Sequence, residues 1–403
     1  MGLLALILSY EYPLFFMLQV VFGLDEGGAG LKLFSSVIFG VVLIIYLASI
    51  GRKKRAVSYT PVIFVIIILF LFILTGVNFS NTGFYRSYLL SFGVRCVPAA
   101  LVGSMVADDR NAFDKMLKWI QPFMLFFTLG VLLTVINASD ATNIKEKYSV
   151  ASMNYQTLSY CAAFAFNINL YVLSMWKVNP KFKFFSSNLW RGIDFFLLPL
   201  QLYCMLSAGG RGAIANVIVC MLLIVFIKGN LRFKIRHIIL ILSLIIAAIV
   251  VIDILSKNGN IGASRLKDFF GNSNNLFEND RSILRKRAIQ VFFNSNFAGR
   301  GIGSVFFTMD FYSHNIFTDI LAEGGVVGII IVIIILKKIL SNLKKIYYQD
   351  RTRLFVYVIF FSSFAMLMFS GYYLADGGLW FAATYILCCD TERKKESGSI
   401  AYS

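Results

Sequence analysis

Apolar runs close to the length that crosses a bilayer recur along this chain, and about 20 residues of α-helix suffice to span the hydrocarbon. They are read at 3–22, 31–50, 61–77, 84–106, 116–137, 155–176, 192–208, 212–228, 237–255, 313–336, 354–371 and 374–389. A water-soluble globule is excluded by 58% hydrophobic and 15% charged residues and a mean hydropathy of +0.74. The expected fold is an all-α integral membrane protein of about 12 spans, forming one polytopic domain over 1–403. Spans seven and eight are parted only by "SAGGRGA", and the last span is short.

Lysine and arginine divide the loops into two sets. "GRKKR", "KVNPKFK", "KGNLRFKIR", "KKILSNLKKIYYQDRTR" and "ERKK" are basic, whereas the alternate loops "GLDEGGAG", "NFSNTG" and "GYYLADGG" have no basic residue. Both termini are therefore expected in the cytoplasm and the polar segment 256–312 outside, between spans nine and ten. The formal net charge of +17 is mostly this topogenic bias and implies no nucleic-acid partner. The first run lacks a basic leader and a small-residue cleavage pattern, so it reads as a retained span. Six scattered cysteines give neither a disulfide framework nor metal-ligand spacing. Two histidines, one of them His237 in a basic loop, cannot build a His-rich metal site, and no cofactor is expected.

Chemistry must then come from loops and from the few polar residues inside spans. Arg95 lies about eleven residues beyond Phe84, roughly 16 Å along a helix, too deep to snorkel out. Such an arginine costs about 2.5 to 3.5 kcal/mol on insertion scales, so it faces either a substrate cavity or a structural partner such as Glu11. Arg86, near the end of the same run, is a headgroup anchor or a substrate contact. In "SAGGRGA", Ser207 to Ala213, glycines on both sides of Arg211 permit a sharp turn and leave room around a planar fork suited to phosphate. A tight turn with an interfacial anchor is the competing reading.

Segment 256–312 holds eight Lys and Arg against four Asp and Glu. That excess runs against the topogenic rule and points to an anionic partner, either substrate or lipid headgroup. Within it, "RSILRKRAIQVFFNSNF" sets Ile283, Leu284, Ala288, Ile289 and Phe292 near helical spacing with Arg285, Lys286 and Arg287 as the cationic side. That is an amphipathic helix suited to a membrane surface. Next comes "SHNIFTDILAEGGVVG", Ser313 to Gly328. On a continuous helix at about 100° per residue, Gly325 and Gly328 share the face of His314, while Asp319 and Glu323 point away. The glycines are then expected to admit a neighbouring helix, with His314 at the water boundary near its ordinary pKa of about 6.5. Taken alone, such a histidine is more often a polar cap than a base.

The pattern His-Asn, nine residues, Gly-x-x-Gly in "HNIFTDILAEGGVVG" resembles that of bacterial O-antigen ligases and the related O-antigen and exopolysaccharide polymerases. "GGRGA" between two spans and "NDRSILRKRAIQVFFNSNFAGRGIGSV" in the large loop follow in the order of that family. The motifs cover about 207–336, and elsewhere the resemblance is one of topology. It implies a GT-C-like, metal-independent, inverting glycosyltransferase using an undecaprenyl-diphosphate-linked glycan donor at the outer face of the bacterial cytoplasmic membrane. By the same resemblance Arg211 and Arg281 would hold the diphosphate and His314 would be the general base. Arg95, Arg86, Arg285, Asn315 and Arg300 would contact substrate. A lipid-linked acceptor, membrane lipids, a flippase and a chain-length regulator are the implied partners. A polymerase of lipid-linked repeat units is favoured over a ligase acting on lipid A core, because the loop is compact and nothing specific to that core is recognised. A flippase or transporter is the third reading, against which stands the lack of an inverted repeat or paired broken spans.

The loop charges make one direct prediction. A reporter active only outside the cell is expected to be on when fused after Asn275 and off when fused after Lys345. Reversed signals would invert the topology.

Overall fold

The computed structural model describes residues 1–23, 28–51, 60–78, 83–137, 154–175, 188–227, 231–271 and 280–389. The basic stretches 52–55, 177–183 and 392–395, which carry much of the expected orientation, lie outside the described residues, as do 24–27, 79–82 and 272–279. Among the described residues every regular element is helical. In chain order they are α1 (Gly2–Ser9), α2 (Glu11–Phe22), α3 (Gly28–Gly51), α4 (Thr60–Asn78), α5 (Gly83–Ser91), α6 (Val97–Asp108), α7 (Arg110–Ile136), α8 (Tyr155–Met175), α9 (Asn188–Ala208), α10 (Arg211–Ile227) and α11 (Leu231–Lys257). The polar segment contains α12 (Ile261–Gly271), α13 (Asp280–Asn294) and α14 (Val305–Thr308), and the chain continues through α15 (Ile316–Gln349), α16 (Leu354–Leu367) and α17 (Gly377–Cys388).

Each of the twelve apolar runs coincides with helix, so the all-α membrane reading holds. Among the described residues, 5 helices can cross a membrane by length and composition, or up to 6 if the bent pair α1 and α2 is one span. The stretches 33–48, 62–77, 211–225 and 377–388 are shorter apolar helices. Of the twelve expected crossings, 5 or 6 meet these criteria of length and composition among the described residues.

Three runs are interrupted, and each interruption has a local cause. The first bends by 90° at Tyr10, because Pro13 has no N–H for the Ser9 carbonyl and its ring crowds that carbonyl. Between α5 and α6, Phe92–Cys96 forms a π-turn in which the Val97 N–H donates to the Phe92 carbonyl. There Pro98 cannot donate to Val94, and the ladder slips by one residue. The third break lies inside α15 at Gly325 (φ 58, ψ −149). The continuous helix expected through the glycine pair is therefore not formed.

What fills that third break is the Gly-rich segment after α13. The Arg300 N–H donates to the Ala322 carbonyl (2.9 Å), the Gly301 N–H to the Glu323 carbonyl (2.9 Å), and the Val326 N–H to the Phe297 carbonyl (3.0 Å). Three peptide groups that the break would leave without partners are thus satisfied. The stitch needs both glycines. A Cβ on Gly299 would lie 2.5 Å from the Glu323 carbonyl oxygen, and one on Gly325 would collide with the Phe297 carbonyl.

The helices are otherwise fastened by close approach and buried amides. Gly103 lets α6 lie directly on the Phe381 backbone of α17, and Thr384 Oγ1 donates to the Ala100 carbonyl (3.1 Å). Between α7, α8 and α9, Gln121 Nε2 donates to Asp194 Oδ2 (2.6 Å), Asn169 Nδ2 to Gln201 Oε1 (3.1 Å) and Gln201 Nε2 to Thr128 Oγ1 (2.9 Å).

Gly325→Leu and Gly299→Leu are each expected to lower thermal stability and protein level, by roughly 1–3 kcal/mol of backbone strain plus the lost stitch. Gly324→Ala, with open space at its Cβ position, is expected to be neutral. Melting curves of the three purified variants in detergent check this, and a destabilised Gly324→Ala beside an unaffected Gly325→Leu would refute the stitch.

Candidate active site

The turn before α10 and the start of α12 are pressed together by paired glycines. Gly209 has φ +72, and a Cβ there would lie 2.7 Å from the Gly262 Cα. That contact places Arg265, one turn further along α12, beside Arg211 at the start of α10. The Arg211 guanidinium lies over the Phe269 ring at 4.1 Å, and that of Arg265 over the Tyr155 ring at 4.4 Å. Arg211, Arg265 and Arg281 together line a cavity of about 20 Å³ with Gly209, Gly210 and Gly212. It has room for about one water-sized group, such as a single phosphate oxygen.

Arg281, at the start of α13, donates from Nη1 to the Phe369 carbonyl (2.6 Å). Arg285 follows one turn later, its Nε buried and without a hydrogen-bond partner. Among the described residues none of these four arginines forms an ion pair. Among the described residues, Asp319 is a carboxylate whose charge acts on Arg285. Four cations held together without a carboxylate bonded to them make a site for an anion.

His314 faces this group. It stands outside α15, with φ 60, a left-handed conformation uncommon for a side-chain-bearing residue. Its flanks hold it there. The Ser313 N–H donates to Asp319 Oδ1 (2.7 Å), and Asn315 Oδ1 caps α15 by accepting from the N–H groups of Phe317 (3.1 Å) and Thr318 (3.3 Å). The imidazole meets the Tyr312 ring edge-on at 4.5 Å, and its Nδ1 is buried without a hydrogen-bond partner. Burial first, then the charges of Arg281 and Arg285, lower its pKa to about 4. The ring is thus neutral near pH 7 and able to accept a proton, rather than poised near its ordinary value.

The other residues singled out from sequence fall elsewhere. Arg95 is buried against Glu11, Nε to Oε2 at 3.6 Å, and stands 5.1 Å over the Tyr12 ring; it also lines a larger polar cavity. Arg86 is exposed on α5. Arg300 spends its backbone N–H on the stitch and borders an apolar groove of about 550 Å³ between α4 and α15. Asn315 is engaged at both ends of its carboxamide, since Nδ2 donates to the Met368 carbonyl (3.2 Å). Asp319 and Glu323, expected on a face pointing away, are both buried. Glu323 accepts from the Tyr372 and Tyr373 hydroxyls, each at 2.6 Å. The helical wheel failed because His314 precedes the helix and Gly325 breaks it. Arg265 was not singled out at all, and nothing within "SRLKDFFG" marks it, because the ring it lies over, Tyr155, belongs to another helix.

Among the described residues no cluster of His, Cys, Asp or Glu has the make-up of a metal site. Comparison of the chain with protein-family profiles, curated proteins and solved structures finds no match.

With only two histidines in the chain, the acidity of His314 is directly measurable. Nuclear magnetic resonance of histidine-labelled protein, assigned with His237→Gln, is expected to show His314 protonating only as pH falls through about 4. In Arg285→Gln, one of the cations that oppose protonation is gone, so the midpoint should move up toward about 6.5. A midpoint that does not move would separate the two residues.

Proposed function

We propose that this protein is a glycosyltransferase that polymerises lipid-linked oligosaccharide repeat units for O-antigen, capsule or exopolysaccharide. In this reading it crosses the bacterial cytoplasmic membrane about 12 times in a GT-C-like arrangement, with both termini in the cytoplasm and the arginine group at the outer face. The observation that carries the reading is the meeting of Arg211, Arg265, Arg281 and Arg285, from three separate helices and without ion pairs among the described residues, beside a neutral imidazole whose Nδ1 has no hydrogen-bond partner there.

The chemistry follows from those residues. A sugar hydroxyl of the acceptor attacks the anomeric carbon of the donor glycan and passes its proton to His314. The bond from that carbon to the diphosphate oxygen breaks, and undecaprenyl diphosphate leaves with the electron pair. One displacement inverts the anomeric centre. Negative charge builds on the leaving oxygen, and fixed cations aimed at developing charge are worth more than the same cations in water. A positioned base adds about 10²-fold to 10⁴-fold. An O-antigen ligase would use the same groups on a different acceptor.

The test is chain extension by purified protein in vesicles supplied with lipid-linked repeat units. A ladder of longer glycans is expected; transfer to lipid A core would mean a ligase, and movement without new glycosidic bonds a transporter. Arg211→Lys and Arg281→Lys are expected to lose most activity, because a point charge cannot replace a bidentate fork. His314→Ala should lose about 10²-fold to 10⁴-fold, and Lys286→Ala, exposed on α13, should stay near wild type. Near-wild-type extension by His314→Ala at normal protein level would remove the mechanism.

A further inference from the structure

Beside the arginine group lies a larger cavity of about 430 Å³, and its chemistry differs. The two cavities share Gln156 and Tyr160, and the larger one also takes in Tyr312, whose ring abuts His314. It reaches deep into the helical bundle, between two of the three backbone breaks. Ser9, Glu11 and Tyr12 come from the 90° bend between α1 and α2, while Ser91 and Arg95 come from the π-turn between α5 and α6. Irregular backbone at membrane depth persists only where protein buries it or where it lines a polar cavity, and π-turns gather at functional sites. Two independent proline-driven breaks opening on one space indicate that the space itself is what the breaks serve.

The walls select against a second phosphate. The one arginine among the lining residues is matched by Glu11 at 3.6 Å, and a further, half-buried carboxylate, Asp376, accepts from the Leu379 N–H (2.7 Å). No excess of positive charge remains. The aromatic rings of Tyr12, Tyr88, Tyr160 and Tyr312 offer flat apolar faces with hydroxyl tips, and Gln156, Ser87 and Ser91 supply further hydrogen-bonding groups. Flat apolar faces interleaved with hydroxyl and amide partners suit a pyranose ring, which is apolar on its faces and hydroxylated at its rim. The volume lies within the roughly 300–1,000 Å³ usual for small-molecule sites.

We propose that this cavity binds the uncharged, hydroxyl-rich end of the acceptor glycan, delivering one sugar hydroxyl past Tyr312 to His314. The proposal rests on the glycosyltransferase reading above and divides the substrates by charge, with diphosphate at the arginines and acceptor sugars between the breaks.

Cysteine protection tests it. The six native cysteines are buried, so a single Cys placed at Ser87 or Ser91 of the full chain in detergent reports on the cavity, and either position suffices if the other variant fails to fold. The probes are the free repeat-unit oligosaccharide released from the lipid-linked pool of the source strain, and undecaprenyl diphosphate without sugar. With free oligosaccharide at about ten times its dissociation constant, modification by a charged methanethiosulfonate is expected to slow about tenfold by mass action. Sugar-free lipid should give no protection, and Arg281→Lys should leave the protection by oligosaccharide intact. No slowing by oligosaccharide, or equal slowing by sugar-free lipid, would overturn the assignment; protection that vanishes with Arg281→Lys would place the donor's sugars there instead. Wild-type chain extension without protection sinks the cavity alone, whereas absence of extension from lipid-linked repeat units sinks the functional reading and the cavity with it.

Discussion

A peptide group freed inside a bilayer has no water to turn to, and each one left unpaired costs several kcal/mol. The break at Gly325 would free peptide groups in the middle of a 34-residue helix. It exists because residues 297–301 come back to meet it, with Gly299 and Gly325 removing the side chains that would keep the two backbones apart. Everything placed on either side depends on that meeting. It fixes the helix that carries Asp319 and Glu323, the turn that carries His314, and the end of α13 that follows Arg281 and Arg285.

The cations impose the second constraint. Arginines gathered without carboxylate partners repel one another, and the fold tolerates this because aromatic rings and a backbone carbonyl hold them. Phe269 and Tyr155 lie under two guanidinium groups, and Phe369 accepts from a third. Burial first, and then the same positive field that would draw an anion, keeps the imidazole unprotonated. Binding and basicity are thus two effects of one charge distribution. On the function proposed above, an arriving diphosphate would relieve the repulsion and raise the basicity of His314 as the proton is taken.

Much of this was legible in the sequence and some was not. Helix positions were, because apolar runs bounded by charged or glycine-rich loops leave a chain in lipid little other choice; all twelve coincide with helix. The importance of Arg211 could be proposed from glycine spacing and charge, that of Arg281 only from the family resemblance, and the Arg95 to Glu11 pair was one of two open readings. The breaks were harder. Pro13 and Pro98 are visible, but proline alone does not say whether a helix bends, slips or stops. The glycine pair near 325 was read through helical periodicity, which assumes the regularity that those glycines abolish. Arg265 lay hidden because its partners, Arg211 and Arg281, come from other helices, and only the Gly209 to Gly262 contact brings the three together.

Residues 297 to 326 leave and return to one point, since the Val326 N–H is bonded to the Phe297 carbonyl. Topologically this is a knotless loop with its neck tied, and His314 stands within it. A closed neck fixes both ends of the loop but does not seal it. Its interior packs on α5, where the Phe84 ring meets Phe311 and the Tyr88 ring meets both Phe306 and Tyr312. Because Tyr312 both lines the polar cavity and abuts His314, a change on α5 is felt at the imidazole and in the cavity together, and neither can drift without the other.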